Sequence, residues 1–176
     1  MTSDGALGGG MDTFRHQGLT FDVRDGGPAE GEVVLLLHGF PQDATSWMHV
    51  EPLLHAAGLR TLAPDQRGYG RTTGWSADYD GDLAAFRLPN LVRDALGLVA
   101  AFGYTHVDAV IGHDFGSSVA AWCALIRPDV FRSVVMMSAP FPGPPSLPLG
   151  TPSPRREDPV HRELAALSRP RKHYQW

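Results

Sequence analysis

The sequence predicts an α/β protein with a mostly parallel sheet and helices on both faces. Two observations carry this. Short runs of branched apolar residues alternate with stretches of helical periodicity, the signature of repeated βαβ units. One of those runs, Val33 to Leu37, is continuously apolar, as expected of a strand covered on both faces of a parallel sheet.

In chain order, Leu19 to Arg24 alternates apolar and polar residues and meets Asp25-Gly26-Gly27-Pro28, a strand followed by a turn. The Val33 to Leu37 strand ends at His38-Gly39-Phe40-Pro41. A helix is expected from about Trp47 to Ala57, capped by Ser46 and stopped by Gly58. Arg60 to Ala63 reads as a strand closed by Pro64-Asp65. Asn90 is placed as the cap of a second helix, whose Leu91, Ala95, Leu98, Val99 and Phe102 share a face before Gly103. Val107 to Ile111 is the next strand, Gly116 to Ile126 the next helix, and Val134 to Met137 one more strand. The expected organisation is an extension at 1–13, a core at 14–140, a proline-rich linker at 141–156 and the opening of a helical element at 157–176.

Composition narrows the function. The 176 residues carry a net charge of −4, so no global basic field recruits nucleic acid or anionic lipid. One cysteine, Cys123, excludes an internal disulfide framework and fits a reducing compartment. No apolar stretch approaches the roughly 20 residues of a membrane helix, and Met1 to Gly10 lacks the basic and apolar parts of a secretory signal. A cytoplasmic protein is expected; the oligomeric state is not legible.

The chemistry lies in Val110-Ile-Gly-His-Asp-Phe-Gly-Ser-Ser-Val-Ala. It reads strand, then small-x-acid-x-small, then helix. In a nucleophile elbow the central residue occupies a tight strained turn, so only small residues fit two positions either side. Gly112 and Gly116 supply that room around Asp114. A serine at this place attacks acyl carbon, whereas a carboxylate would give an anhydride that falls back. A carboxylate can displace a leaving group at saturated carbon and form a stable alkyl ester. A bland role as helix cap is open to Asp114 too, but the paired glycines and the His38-Gly39-Phe40-Pro41 loop favour the nucleophile. That loop supplies a backbone N–H, from Phe40, to pair with the N–H of Phe115 as an oxyanion hole.

On His-Gly-Phe-Pro at 38–41, Asp-Gln-Arg-Gly-Tyr-Gly at 65–70 and Gly-His-Asp-Phe-Gly at 112–116, the chain resembles the epoxide hydrolase branch of the α/β-hydrolase superfamily, from about Phe14 onward. The resemblance implies an apolar epoxide and water as substrates, hence no metal or organic cofactor, and makes residues 157–176 the start of a cap. It also implies a lid tyrosine as acid for ring opening, for which Tyr174 in His173-Tyr174-Gln175-Trp176 is the candidate. Haloalkane dehalogenases are similar but grip halide with side-chain N–H donors, which Phe40 and Phe115 lack. Fluoroacetate dehalogenases carry an arginine where Phe115 stands.

The family's later acid, its histidine and a second lid tyrosine are expected beyond the cap and are not found in these residues. The expectation is therefore a sheet incomplete at its C-terminal side, a chain able at best to form the alkyl-enzyme, and poor solubility in isolation. The alternative is a non-catalytic remnant that acts only by binding. His38 and His113 are expected beside the site rather than as its base, and Asp65 with Arg67 as a structural ion pair. His161, His173 and the basic residues from Arg155 to Lys172 are expected on a solvated cap face, with Trp47, Trp122 and Cys123 in the core.

Overall fold

The computed structural model describes residues 13–78, 80–139, 141 and 166. Among the described residues six strands form one sheet: β1 (Thr13–His16), β2 (Leu19–Gly26), β3 (Glu32–Leu37), β4 (Leu59–Pro64), β5 (Ala109–His113) and β6 (Val134–Met137). Their spatial order is β1-β2-β4-β3-β5-β6. The pairs β1–β2 and β2–β4 are antiparallel, and the β4, β3, β5 and β6 strands run parallel. Three α-helices connect them: α1 (Glu51–Ala56), α2 (Leu88–Ala101) and α3 (Phe115–Ile126). The predicted α/β class with a mostly parallel sheet is what the chain adopts.

The alternation along β3 divides the core in two. Val33, Leu35 and Leu37 join Leu91, Leu98, Val119 and Cys123 of α2 and α3, while Val34 and Leu36 face Ala44, Trp47 and Ala63. A strand with helices on both faces has no polar side to show, which is why its sequence is an unbroken apolar run. Trp47 and Cys123 are buried as expected, and Trp122 packs against the first cluster.

Several boundaries differ from the sequence reading. β1 forms a hairpin with β2 through Gln17 and Gly18, both at positive φ, the backbone that a two-residue turn between twisted strands demands. The helix expected from Trp47 begins at Glu51; a separate 3₁₀ turn, Ala44–Trp47, precedes it, capped by Asp43 rather than Ser46. Asn90 is not a cap either. α2 starts at Leu88 behind Arg87, and the Asn90 amide donates instead to the Ala84 carbonyl at 2.9 Å. Both helices carry a proline in their first turn, Pro52 and Pro89, where a missing N–H costs nothing.

The chain divides into two compact units, Met1–Trp75 with Leu83–Phe141, and Ser76–Asp82 with Pro142–Trp176. In the second, the Asp78 carboxylate accepts the Asp80 N–H at 3.2 Å. The predicted linker and the 157–176 segment lie outside the described residues, apart from Phe141 and Ala166. Among the described residues no helix is long and apolar enough to cross a membrane.

Candidate active site

The strand order creates the site. From β3 the chain moves to β4 on one side, and from β4 it crosses to β5 on the other. The loops after β3 and β5 thus leave in different directions from adjacent strands, whose register pairs Leu37 with Gly112. Such a switch point opens a crevice at the carboxyl ends of the strands. Here it brings His38-Gly39-Phe40 against His113-Asp114-Phe115.

Asp114 sits between β5 and α3 at φ 52°, ψ −121°, a backbone region that L-residues avoid and that persists only when its surroundings impose it. The imposing contacts are close. A Cβ on Gly116 would run into the Leu37 and His38 carbonyls, and one on Gly112 into the Gly116 backbone. A Cβ on Gly39 would meet Asp114 itself, with Oδ1 2.8 Å away. The Asp114 N–H donates to the Met137 carbonyl at 2.9 Å. Its carboxylate Oδ1 accepts the Phe40 N–H at 2.9 Å. The Phe40 N–H, and next the Phe115 N–H, hold the carboxyl below its ordinary range, against a smaller opposing effect of burial. Asp114 is half-buried, and the Phe40 and Phe115 side chains are 47% and 36% exposed.

Three residues not singled out by sequence complete this neighbourhood. Ser117, 1% exposed, lies within hydrogen-bond distance of the Gly112 and Met137 carbonyls at 2.7 and 2.8 Å, and accepts the Met137 N–H at 3.0 Å. It ties the start of α3 to the ends of β5 and β6. Gln66 bonds the buried His38 twice: its N–H donates to Nε2 at 3.0 Å, and its side-chain amide donates to the His38 carbonyl at 2.6 Å. Tyr69 stands edge-on to the His38 ring at a centroid distance of 5.0 Å. Burial, then the Asp114 charge, pushes its hydroxyl pKa up. Only the Asp-Gln-Arg-Gly-Tyr-Gly motif hinted at the last two.

The expected Asp65–Arg67 ion pair is not what forms. Arg67 makes a bidentate, buried pair with Asp94 of α2 at 2.8 and 2.7 Å. Asp65 instead accepts backbone N–H groups from Ala44 at 2.9 Å and Arg71 at 2.7 Å. Arg67 points to a carboxylate 27 residues along the chain that buries its whole guanidinium edge, a fit its near neighbour cannot offer. Tyr174, His161 and His173 lie outside the described residues. A polar hollow of about 460 Å³ lies along β2 and α1; its Arg24–Glu51 and Arg71–Asp22 pairs satisfy one another. Among the described residues no group of three or more His, Cys, Asp or Glu is placed to hold a metal ion.

Comparison with known proteins agrees with this fold. The family model described as alpha/beta hydrolase fold matches residues 32–159. Epoxide hydrolase B of Mycobacterium tuberculosis is 40% identical over 145 residues, which cover 80% of this chain and 38% of the relative. Among solved structures, an epoxide hydrolase from Vigna radiata superposes with a TM-score of 0.68 at 34% identity, over 80% of this chain and 42% of that one. An epoxide hydrolase from an endophytic Streptomyces gives 0.65 at 37%, over 87% and 40%. This chain thus spans about two-fifths of the length of the proteins it matches. The chain belongs to the α/β-hydrolase fold family and is similar to its epoxide hydrolases.

Proposed function

We propose that this chain carries the ring-opening half of an epoxide hydrolase, with Asp114 as nucleophile. The observation that supports it best is an aspartate in strained backbone at a strand-to-helix turn, one carboxylate oxygen resting on the Phe40 N–H. A carboxyl held below its ordinary pKa is ionised at neutral pH, which a nucleophile needs. In the step, an Asp114 oxygen attacks an epoxide carbon and the carbon–oxygen bond of the ring breaks. The electron pair passes to the ring oxygen, which takes a proton from the acid, in this reading Tyr174. The product is a 2-hydroxyalkyl ester of Asp114. When water later adds to the ester carbonyl, the Phe40 and Phe115 N–H groups are the donors suited to the oxyanion. The exposed Phe40 and Phe115 rings suit an apolar epoxide and offer halide no N–H donor, which argues against a dehalogenase. In this reading 14–140 is the hydrolase core, 141–156 a linker and 157 the start of a cap.

Hydrolysis of the ester needs a base. His38 does not qualify, because Gln66 and the Gly39 carbonyl occupy both its ring nitrogens.

Intact mass after incubation of the full chain with an aryl epoxide tests the reading. The expected result is a single adduct of the epoxide's mass, mapped to Asp114 and absent from Asp114→Ala. No adduct on folded protein would favour the binding-only remnant, and halide release from an alkyl bromide would favour a dehalogenase.

A further inference from the structure

The His38 ring binds two loops at once. It is wholly buried. Its Nε2 accepts the Gln66 N–H at 3.0 Å. A backbone N–H can only donate, so Nε2 carries no proton and the neutral ring is protonated at Nδ1. Nδ1 lies 3.0 Å from the Gly39 carbonyl oxygen and therefore donates to it. That carbonyl belongs to the same peptide unit as the Phe40 N–H, which donates to Asp114 Oδ1 at 2.9 Å. A peptide is planar, with its C=O and N–H on opposite sides. Fixing the oxygen fixes the direction of the hydrogen.

We infer that His38 is a positioning residue, whose neutral Nδ1–H clamps the Gly39–Phe40 peptide so that its N–H aims at the Asp114 carboxylate. Two features support the clamp. Gly39 has no side chain to restrict its own torsions, because a Cβ there would strike Asp114 and lie 2.8 Å from the His113 carbonyl. Gln66 holds His38 by ring and by carbonyl, so the clamp is anchored to the loop after β4. The charged groups acting on the ring are Asp65 and Asp43, both favouring the cation, but burial outweighs them and keeps the imidazole neutral. Around Asp114 the other titratable groups are His113 and Tyr69.

The inference rests on Asp114 as nucleophile only for its kinetic consequence. Two substitutions separate the two bonds of the ring. His38→Asn keeps a donor where Nδ1 stands and loses the acceptor for Gln66. His38→Gln keeps an acceptor where Nε2 stands and loses the donor to Gly39. Both are measured in the full chain, per folded molecule, by two readouts. With an aryl epoxide, the maximal rate of Asp114 adduct formation is expected to fall by about tenfold or more in His38→Gln, with the half-saturating concentration little changed. In His38→Asn it is expected to stay within about threefold of the parent. By NMR, the Phe40 amide proton is expected to move upfield in His38→Gln and to keep its position in His38→Asn. Equal behaviour of the variants, or the reverse order, overturns the clamp, because a merely structural ring would follow the Gln66 contact or both contacts alike. If the parent forms no adduct, the nucleophile reading fails, and the Phe40 amide alone decides the clamp.

Discussion

Two aspartates, one after β4 and one after β5, receive N–H groups from the same loop and are held in opposite ways. Ala44 donates to Asp65, and Phe40 to Asp114, each at 2.9 Å. Asp65 is 4% exposed, its second oxygen takes the Arg71 N–H, and its carbonyl takes the Thr72 hydroxyl at 2.5 Å. Its backbone is unremarked by any strain, whereas Asp114 sits at φ 52° and keeps contact with solvent. The contact type is shared. What differs is how far the carboxylate is enclosed and whether the backbone is forced, and these separate an aspartate that ties loops together from the one proposed to react.

The largest expected effect falls on the tied one. Asp65→Ala strands the buried Ala44 N–H and frees the Arg71 turn, and is expected to lower stability by about 3 kcal/mol. A urea midpoint shifted down at constant m-value checks this; a shift below about 1 kcal/mol would mean that water replaces both bonds. Between the two aspartates lies His38, whose pKa burial depresses below its ordinary 6.5. The unfolded chain then takes up a proton at His38 before the folded one does. Stability should be full above about pH 6.5 and fall as pH drops toward the folded value, with a slope of at most about 1.4 kcal/mol per pH unit. The part of this slope owed to His38 should vanish in His38→Asn, read from denaturation at a series of pH values. The smallest effect has the opposite sign. Asp114→Gly relieves the forced backbone and is expected to raise stability by about 1 kcal/mol while abolishing any adduct. A loss of stability there would erase the distinction between the two carboxylates.

The same contrast explains what the sequence could show. The glycines around Asp114 were legible because a strained turn leaves a mark on near neighbours: Gly112 and Gly116 lie two residues away. The Ala44, Asp94 and Gln66 partners of Asp65, Arg67 and His38 lie 21 to 28 residues distant, and no local pattern encodes them. Strand β6 was read with its true bounds, since four apolar residues between polar ones leave little choice. β1 was missed because it spans only Thr13–His16 and buries a single side chain fully, Phe14. Periodicity extended the first helix too far because it ignores that Pro52 belongs in an opening turn.

Cys123 lies on the inward face of α3 with no exposed surface, and burial raises its pKa to about 12. Near pH 8 only about one molecule in ten thousand would carry a thiolate there. Since the chain has no other cysteine, the most reactive competitor for an electrophile is silent as long as the fold holds. A thiol reagent then reports unfolding, and an epoxide that labels the folded chain has labelled something other than the Cys123 thiol.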